Sequence, residues 1–541
     1  MLTSPAQRDL EAFERTLRAQ GESPRYWRIN RLESWYLGTQ YDSRPSFWST
    51  DVPLRERAPV VQSQFARSAV QRLATLIFGD RSFPRLKVEA EAYRLTLSPG
   101  ERDALQALVD EIASTLALSK RMREIITEGL KCGSACVIVG LVAGRPSLRL
   151  VPSKWCTPTL RPDGTVESLV IEYKLPRGDG TWCWHRREIT DAYDRVYDPV
   201  EVVERTPPQW GAYAEVAVEV CPVVWVRSDA EACASPDQID GHALIEGLED
   251  EVEALDMELS QLYRNALYNG EPQLVQIGVD DGALAGPVGR AGGATEERFS
   301  WLNSVLPGWA QRGGSSESAL KKAPGKLWKL PSGGDAKMVE STGAGAEIIR
   351  GAIKELRRVL TDASGVVLFD ADSLGVGDLA ARTLGLMHAP MLDHADNLRV
   401  EYGDALARIL SLMMRVLSGS LAQTQGVLLR THDAAAPVLQ RLYGVGPDGA
   451  RRWLGASIAL QWGAYFDPSA QDRQAAVATA MAASGGAPVL SHRSAVASVA
   501  SLFGVHDVDA EVEATAAEHQ ASQNIVSDTI TRIGDTAAEV P

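Results

Sequence analysis

One narrow apolar seam runs along an otherwise polar stretch of the chain, "IDGHALIEGLEDEVEALDMELSQLYRNALYNG", from Ile239 to Gly270. Its apolar residues recur at intervals of three and four: Leu244, Leu248, Val252, Leu255, Leu259, Leu262 and Ala266. Eight carboxylates and no Lys or Arg lie between Asp240 and Glu258. The spacing predicts one helix of about eight turns, and so narrow a seam implies packing against a neighbouring helix. An acidic face turned to water is the simpler interpretation of the charges.

A second amphipathic stretch can provide the neighbouring helix. It runs from Ala346 to Leu360, and its apolar stripe consists of Ile349, Ile353, Leu356 and Leu360. Its basic residues lie elsewhere: Arg350, Lys354, Arg357 and Arg358. Between the two helices, residues 271–342 hold a short strand "QLVQIGV", a Gly/Ser-rich stretch and two strands around a Pro-Ser-Gly-Gly turn. We therefore expect a small mixed module inserted at the tip of a pair of helices.

The rest of the chain predicts an α+β fold. Residues 1–130 are mostly helical, and one helix that ends at Gly79 places five apolar residues on one face: Val61, Phe65, Ala69, Leu73 and Leu76. Short strands with turn signals between them follow from Cys136 to about Val226.

Helices dominate again towards the C-terminus. A long helix is expected from about Leu379 to Leu417, and Pro390 should kink it because proline removes a backbone donor. Its apolar residues have helical spacing: Leu384, Met387, Met391, Ala395, Leu398, Tyr402, Leu406, Ile409, Met413 and Leu417. Short Ala-rich helices follow, with Ser491 and Asp507 as expected caps.

The segment "VVLFDADSLGVGDLA", from Val366 to Ala380, contains fragments of two binding motifs. A dinucleotide loop needs its glycines directly after the strand, but residues 370–374 intervene and bring two carboxylates that would repel phosphate. A calcium loop needs oxygen ligands where the chain has Leu374 and Ala381. The segment is therefore expected to be a flexible, acidic, glycine-rich loop between two helices.

Metal and catalytic motifs are weak. The six cysteines, from Cys132 to Cys233, lack a second close pair for zinc, and buried thiols are expected instead. His388, Asp393 and His394 form the best remaining ligand cluster, but solvated helix residues explain them more simply. The chain has no nucleophile elbow, phosphate-binding Gly-Lys-Ser/Thr loop or His-Glu-x-x-His helix. We expect no enzyme, metal or cofactor.

The charge balance limits how the protein can handle nucleic acid. Fifty-five Lys and Arg against 70 Asp and Glu give a formal charge of −15. That argues against gripping DNA through a generally basic surface, but not against a protein past which DNA slides. The N-terminal stretch lacks a signal-peptide pattern, and no run approaches the ~18 apolar residues of a spanning helix. We expect a cytoplasmic product that does not enter a membrane.

The order of these parts resembles the portal proteins of tailed bacteriophages. The resemblance covers nearly the whole chain, from "RINRLESWYLGTQ" and "SAVQRLATLIFG" to "LQWGAYFDPSAQDRQAAVATAMAASGG" and "VHDVDAEVEA", and it rests on the order of elements because no single motif is diagnostic. The implied division is a wing over 1–238, stem helix 1 over 239–270, a clip over 271–342, stem helix 2 over 343–364, a tunnel loop over 365–378, a kinked long helix and the wing end over 379–465, a crown over 466–520 and a tail over 521–541.

The resemblance implies a ring of about twelve identical subunits at one capsid vertex, assembled in a bacterial cytoplasm and retained in the virion. Double-stranded DNA would pass through its channel during packaging and ejection. Other implied partners are the large terminase subunit, the head-to-tail adaptor, and capsid and scaffolding proteins. Two other functions stay open: a nucleotide-dependent enzyme that uses the Gly-rich loop after Phe369, and a cytoplasmic helical scaffold.

The same resemblance assigns three sets of residues. The tunnel loop would comprise Val366, Val367, Leu368, Phe369, Asp370, Ala371, Asp372, Ser373, Leu374, Gly375, Val376 and Gly377. The clip lysines, for partner binding, would be Lys321, Lys322, Lys326 and Lys329. Candidates for stem residues that face the channel are Glu246, Asp250 and Glu253. Carboxylates along the path would discourage DNA from sticking, because tight phosphate contacts by Lys or Arg would hold it in place.

Overall fold

The protein mixes helices and sheets, as the sequence predicts. The computed structural model describes residues 23–80, 82–89, 91–92, 95–203, 208–228, 239–269, 273–277, 335–339, 344–367, 388–419, 426–445, 451–463, 465, 470–485, 489–503, 505 and 508–521. The chain divides into two compact units, and the second, Leu255–Glu355, is inserted into the first.

Four helices open the described part of the first unit: α1 (Pro24–Leu37), α2 (Phe65–Phe78), α3 (Pro99–Thr115) and α4 (Leu118–Cys132). The side-chain oxygen of Ser23 caps α1 by accepting a hydrogen bond from the amide of Tyr26, at 3.1 Å. Helix α2 ends at Gly79 as expected, but it begins at Phe65, so Val61 lies outside the helix. Its buried face is Phe65, Ala66, Ala69, Val70, Leu73, Ala74, Ile77 and Phe78.

Two antiparallel sheets form the strand-rich part of this unit. Strands β4 (Ser134–Val142), β5 (Arg145–Val151) and β12 (Val223–Arg227) make one sheet in the order β12-β4-β5. The other sheet has six strands: β6 (Cys156–Leu160), β7 (Val166–Pro176), β8 (Trp182–Ile189), β9 (Tyr193–Tyr197), β10 (Val200–Glu201) and β11 (Tyr213–Ala217). Its order is β11-β9-β8-β7-β6, with β10 paired to β8. Residues of both sheets share one core: Cys136, Ile138, Val151, Cys156, Val166, Leu169, Ile171, Ile189, Cys221, Val223 and Trp225.

Three strand pairs in the described residues of this unit stand outside those sheets. They join β1 (Arg85–Val88) to β17 (Ile458–Gln461), β2 (Glu91–Ala92) to β3 (Leu95–Thr96), and β15 (Tyr443–Val445) to β16 (Arg451–Trp453). The β1–β17 pair connects an early part of the chain to a late one, with Val88 opposite Ile458.

The long C-terminal helix spans Ala389–Ser418, here α7. The described members of its predicted apolar face, from Met391 to Leu417, are all buried, which confirms that part of the prediction. The expected kink is wrong within these residues, because Pro390 lies in the first turn. An amide there has no intrahelical partner, so proline costs the helix nothing.

Shorter helices complete this unit: α8 (His432–Arg441), α9 (Ala470–Ser484) and α10 (His492–Ala500), followed by helical residues 508–521. Ser491 caps α10 as predicted, since its hydroxyl accepts a hydrogen bond from the amide of Ser494 at 3.1 Å. The other expected cap, Asp507, lies outside the described residues. None of the helices in the described part of the chain is long and apolar enough to cross a lipid bilayer.

The second unit is entered and left through two helices of 21 residues each, α5 (Glu249–Asn269) and α6 (Ala344–Ser364). Between them, β13 (Gln273–Ile277) pairs antiparallel with β14 (Asp335–Val339). Helix α5 was expected from Ile239, but it begins at Glu249. Gly247, with φ +85°, lies in the left-handed region, which interrupts a right-handed helix at that point.

Candidate functional site at the base of the acidic helix

Arginines of α1 hold the segment that leads into the acidic helix α5. Arg25, Arg28 and Arg31 are three residues apart, so one face of α1 presents all of them. They pair with carboxylates just before α5 and at its first residue, and Arg44 pairs with a carboxylate one turn further along. We call this set the arginine ladder: Arg25–Asp240, Arg28–Glu246, Arg31–Glu249 and Arg44–Glu253.

The deepest pair joins Arg25 to Asp240. Two parallel hydrogen bonds connect them, from Nε to Oδ2 at 2.6 Å and from Nη2 to Oδ1 at 2.8 Å. The remaining groups are satisfied too: Arg25 Nη1 donates to the carbonyl of Cys156 at 2.7 Å, and the buried Ser134 hydroxyl donates to Asp240 at 2.6 Å. This two-point geometry fixes direction as well as distance.

The next pair, Arg28–Glu246, shows how burial and pairing compete. Arg28 donates through Nε to Glu246 Oε1 at 2.6 Å and through Nη2 to the other carboxylate oxygen. Burial alone would raise the pKa of Glu246, but the hydrogen bond and charge of Arg28 outweigh burial, so the pKa lies below its usual value. Glu246 is therefore ionised at neutral pH and its charge is balanced locally.

The last two pairs secure the start of α5 itself. Arg31 lies 2.8 Å from Glu249, the first residue of the helix. Arg44 makes two hydrogen bonds to Glu253, from Nη1 at 2.6 Å and from Nη2 at 2.8 Å. The start of α5 is therefore attached to the N-terminal helical region by an ion pair at Glu249 and by charge-assisted hydrogen bonds at Glu253, which are stronger than neutral ones.

The three candidates for channel-facing charge thus differ from one another. Glu246 and Glu253 belong to the ladder, whereas Asp250 is exposed. Whether any of them faces a channel stays a prediction. Sequence reasoning missed the arginines, although the spacing in "RYWRINR" was a visible signal of a basic helix face.

A second cluster surrounds the start of the expected tunnel loop. Val366 is fully buried, and its amide donates to the Ser364 hydroxyl at 3.2 Å, which in turn donates to the carbonyl of Leu360 at 2.6 Å. Arg72 of α2 donates to the carbonyl of Val367 at 3.1 Å. The other ten assigned loop residues, 368–377, lie outside the described residues.

The chain on the far side of that segment returns to the same place. A Cβ built on Gly365 would lie 3.5 Å from His394 Nδ1 and 3.8 Å from the carbonyl oxygen of Pro390. His388 is buried there, and burial, together with the charge of Arg72, lowers its pKa below the usual value. The described residues on either side of 368–387 therefore lie close together.

The cysteines and the other possible metal ligands form no metal site in the described part of the chain. Cys132, Cys136, Cys156, Cys183 and Cys221 are buried free thiols, and Cys233 lies outside the described residues. The described residues contain no group of three or more His, Cys, Asp and Glu arranged to hold a metal ion. The clip lysines, Lys321, Lys322, Lys326 and Lys329, also lie outside them.

Comparisons with known proteins find similarity to solved structures only. No model of a known protein family matches the chain, and no curated protein matches its sequence. A solved chain titled "Virion of native gene transfer agent (GTA) particle" is 12% identical, with a TM-score of 0.33, over 86% of this chain and 98% of that chain. Another, titled "Neck of native GTA particle computed with C12 symmetry", is 13% identical, with a TM-score of 0.33, over 82% and 95%. A TM-score this low does not establish a shared fold.

Proposed function

We propose that the chain is the subunit of a portal-type ring, a structural protein without catalytic residues that forms a channel for double-stranded DNA at one capsid vertex. The ring would also be a docking platform for the large terminase subunit and the head-to-tail adaptor. One observation carries the proposal: a small strand-containing unit is inserted into a larger one, and a 21-residue helix leads to it on each side. This is the topology expected of two stem helices and a clip.

The two helices have the surfaces that such a stem needs. On α6, Ile353 and Leu360 are buried, while the four basic residues from Arg350 to Arg358 are exposed. On α5, Val252 and Leu255 are buried beside a largely acidic sequence. Long helices with one narrow apolar stripe gain stability by packing against other helices.

The arginine ladder adds a mechanical argument. A helix that guides a moving polymer must keep its position under load, and four ion pairs hold the base of α5 to the N-terminal region. Pairing also reduces the local field, so that neither sign of charge dominates at this point. Weak contacts suit a conduit, because every phosphate neutralised by a basic residue strengthens binding and slows release.

The segment 365–378 completes the proposal as a tunnel loop. The described start of this loop and the first described residue after it are both held in the fold, because Val366 and His388 are buried. Asp370 and Asp372 of this loop would discourage adhesion to DNA.

Ring formation tests the proposal. We expect purified protein to contain closed rings in electron micrographs, and a mass of roughly 700 kDa by light scattering if about twelve chains of 58.5 kDa assemble. An unassembled fraction is compatible with this result. A stable monomer at every protein and salt concentration contradicts the proposal.

A further inference from the structure

In the part of the chain that the structure describes, the outer strand of the six-stranded sheet has no partner strand along one edge. All five residues of β11, Tyr213 to Ala217, are exposed. Among the strands that the structure describes, β11 pairs with β9 and with no other. An exposed edge strand offers a row of backbone donors and acceptors to another chain.

The register shows which backbone groups point outwards. The amide of Asp198 donates to the carbonyl of Ala212 at 3.0 Å, and the amide of Val218 donates to the carbonyl of Ala192 at 3.1 Å. Even-numbered residues therefore face β9, and the alternation of an antiparallel pair turns Tyr213, Glu215 and Ala217 away from it. Each of these three presents one amide and one carbonyl to the free edge.

An apolar groove lies beside the same strand. It encloses about 340 Å³, and its apolar lining includes Ile138, Leu141 and Val142 of β4 together with Val216, Val218 and Pro222. Val142 is 65% exposed and Val216 is 55% exposed, so water contacts both apolar side chains in this chain alone. A strand added to β11 would direct every second side chain to this side of the sheet.

Three arginines and two carboxylates, Asp194 and Glu219, line the groove, and the one positive charge in excess favours an acidic occupant. Two of its arginines are engaged: Arg187 lies 2.6 Å from Asp194, and Arg415 donates to the carbonyl of Glu219 at 3.2 Å. Arg149 also lines the groove, is exposed, and makes no ion pair with any residue that the structure describes. A carboxylate on the occupant would complement it.

We propose that β11 and this groove bind an extended segment of a partner protein, which adds to the sheet as a further strand. The segment would carry apolar side chains at alternate positions for the groove and a carboxylate for Arg149. Backbone hydrogen bonds to Tyr213, Glu215 and Ala217 would supply affinity, and the groove would supply selectivity, as in other cases of strand addition.

A short peptide serves as the probe. It has eight residues with capped ends, valine at alternate positions, threonine between them, and glutamate in place of one terminal valine. Fluorescence anisotropy with the full-length protein measures its affinity. We expect the peptide to bind. We also expect that methylating its backbone amide nitrogens one at a time will divide the threonine and valine amides into two classes. Methyl groups on the amides that face β11 should weaken binding at least about tenfold, and those on the opposite edge should not.

Charge reversal checks the assigned cation. Arg149→Glu should weaken binding of the glutamate peptide and strengthen binding of the same peptide with lysine at that position. Arg177→Glu, an exposed arginine in the turn between β7 and β8 and away from the groove, is the matched control and should change neither affinity. Circular dichroism of both variants establishes that they fold.

Three outcomes would overturn the proposal. One is a peptide that does not bind at up to about 1 mM, the weak end of specific recognition. Another is an affinity that N-methylation reduces equally on both edges. The third is a light-scattering mass that falls in Glu215→Pro, where proline removes an outward amide, because a second copy of the chain would then be the occupant of the edge.

Discussion

At the scale of single residues, ionised side chains near the base of α5 couple the fold to pH. Glu246 and Glu33 are partly buried, and burial alone would raise the pKa of each. Hydrogen bonds and positive charge from Arg28 and from Lys154 with Lys131 outweigh burial, so both pKa values are lowered. A carboxylate with a lowered pKa stabilises the folded state above its unfolded pKa, about 4.3, and loses that contribution as the pH falls through the folded value.

Glu246→Gln should therefore show its effect at neutral pH and not in acid. At pH 7 we expect its free energy of unfolding to be lower by about 1–3 kcal/mol, because Arg28 loses a charged acceptor. The difference should shrink as the pH falls from the unfolded pKa of about 4.3 through the lower folded value, where the native carboxylate takes up its proton. Urea unfolding from pH 7 to 3 measures this, with the exposed Glu167→Gln as control. A difference that stays constant over the whole range would contradict the assignment.

Arg28→Lys tests geometry without removing charge. An ammonium group cannot make the two parallel hydrogen bonds that the guanidinium makes to Glu246, so we expect a loss of about 1–2 kcal/mol in unfolding free energy. The matched control is Arg55→Lys, whose arginine is 87% exposed and lies 4.0 Å from Glu56. That change should cost less than about 0.5 kcal/mol. Equal effects of the two substitutions would show that the ladder pair contributes no more than a surface pair.

At the scale of elements, close approach of two helices depends on one glycine. Gly129 of α4 faces α7, and a Cβ built on it would overlap the hydroxyl oxygen of Tyr402 and come 3.0 Å from its Cζ. A Gly→Ala substitution at an exposed position inside a helix stabilises that helix by about 1 kcal/mol. Here, for Gly129→Ala, we expect destabilisation by about 1–3 kcal/mol, because the buried tyrosine must shift.

A double-mutant cycle, measured by urea unfolding, tests whether positions Gly129 and Tyr402 interact. Adding Tyr402→Phe removes the oxygen that the new methyl group would meet, so the double variant should lose less than the sum of the single losses. Strict additivity would mean that alanine at position 129 is accommodated in some other way.

The substitution Pro390→Ala tests the observed start of α7 at Ala389. Because proline lies in the first turn, where its missing amide has no intrahelical partner, we expect a change below about 0.5 kcal/mol in thermal or urea unfolding. Leu398→Pro, in the buried middle of the same helix, is the control and should cost more than about 3 kcal/mol. A large change in unfolding free energy for Pro390→Ala would contradict the first-turn position and favour the predicted kink.

Local patterns predicted the elements better than their limits or contacts. Helical spacing identified the buried face of α7, because every member of the pattern lies within a few residues of the next. It failed at the start of α5, where Gly247 ends the regular spacing only through its backbone conformation. The arginine ladder could not be predicted from the sequence. Arg28 and Glu246 are 218 positions apart, and composition does not show which distant charges will meet.

At the scale of the whole molecule, the proposed channel gives a prediction about salt. Replacing Asp370 and Asp372 by lysine would place two new cations per subunit along the DNA path, and each phosphate contact steepens the salt dependence of binding. We expect rings of normal mass that package DNA poorly, with packaging partly restored at higher salt. Gly375→Val with Gly377→Val is the comparison, because a stiffer loop should impair packaging regardless of salt. Normal packaging by both variants would remove this loop from the channel.

The pairing of β1 with β17 also determines when the protein can finish folding. Val88 cannot pair with Ile458 until the ribosome has added about 370 further residues. Phe78 likewise cannot contact Trp462, whose ring centroid lies 5.5 Å away in the folded protein, until that part of the chain is made. At about 5–20 residues per second, a ribosome needs roughly 20–70 s to make the intervening chain. During that time the edge of β1 and one side of Phe78 have no native partner. A nascent chain interrupted before β17 would therefore be open to aggregation, and holdase chaperones would have to protect it until translation ends.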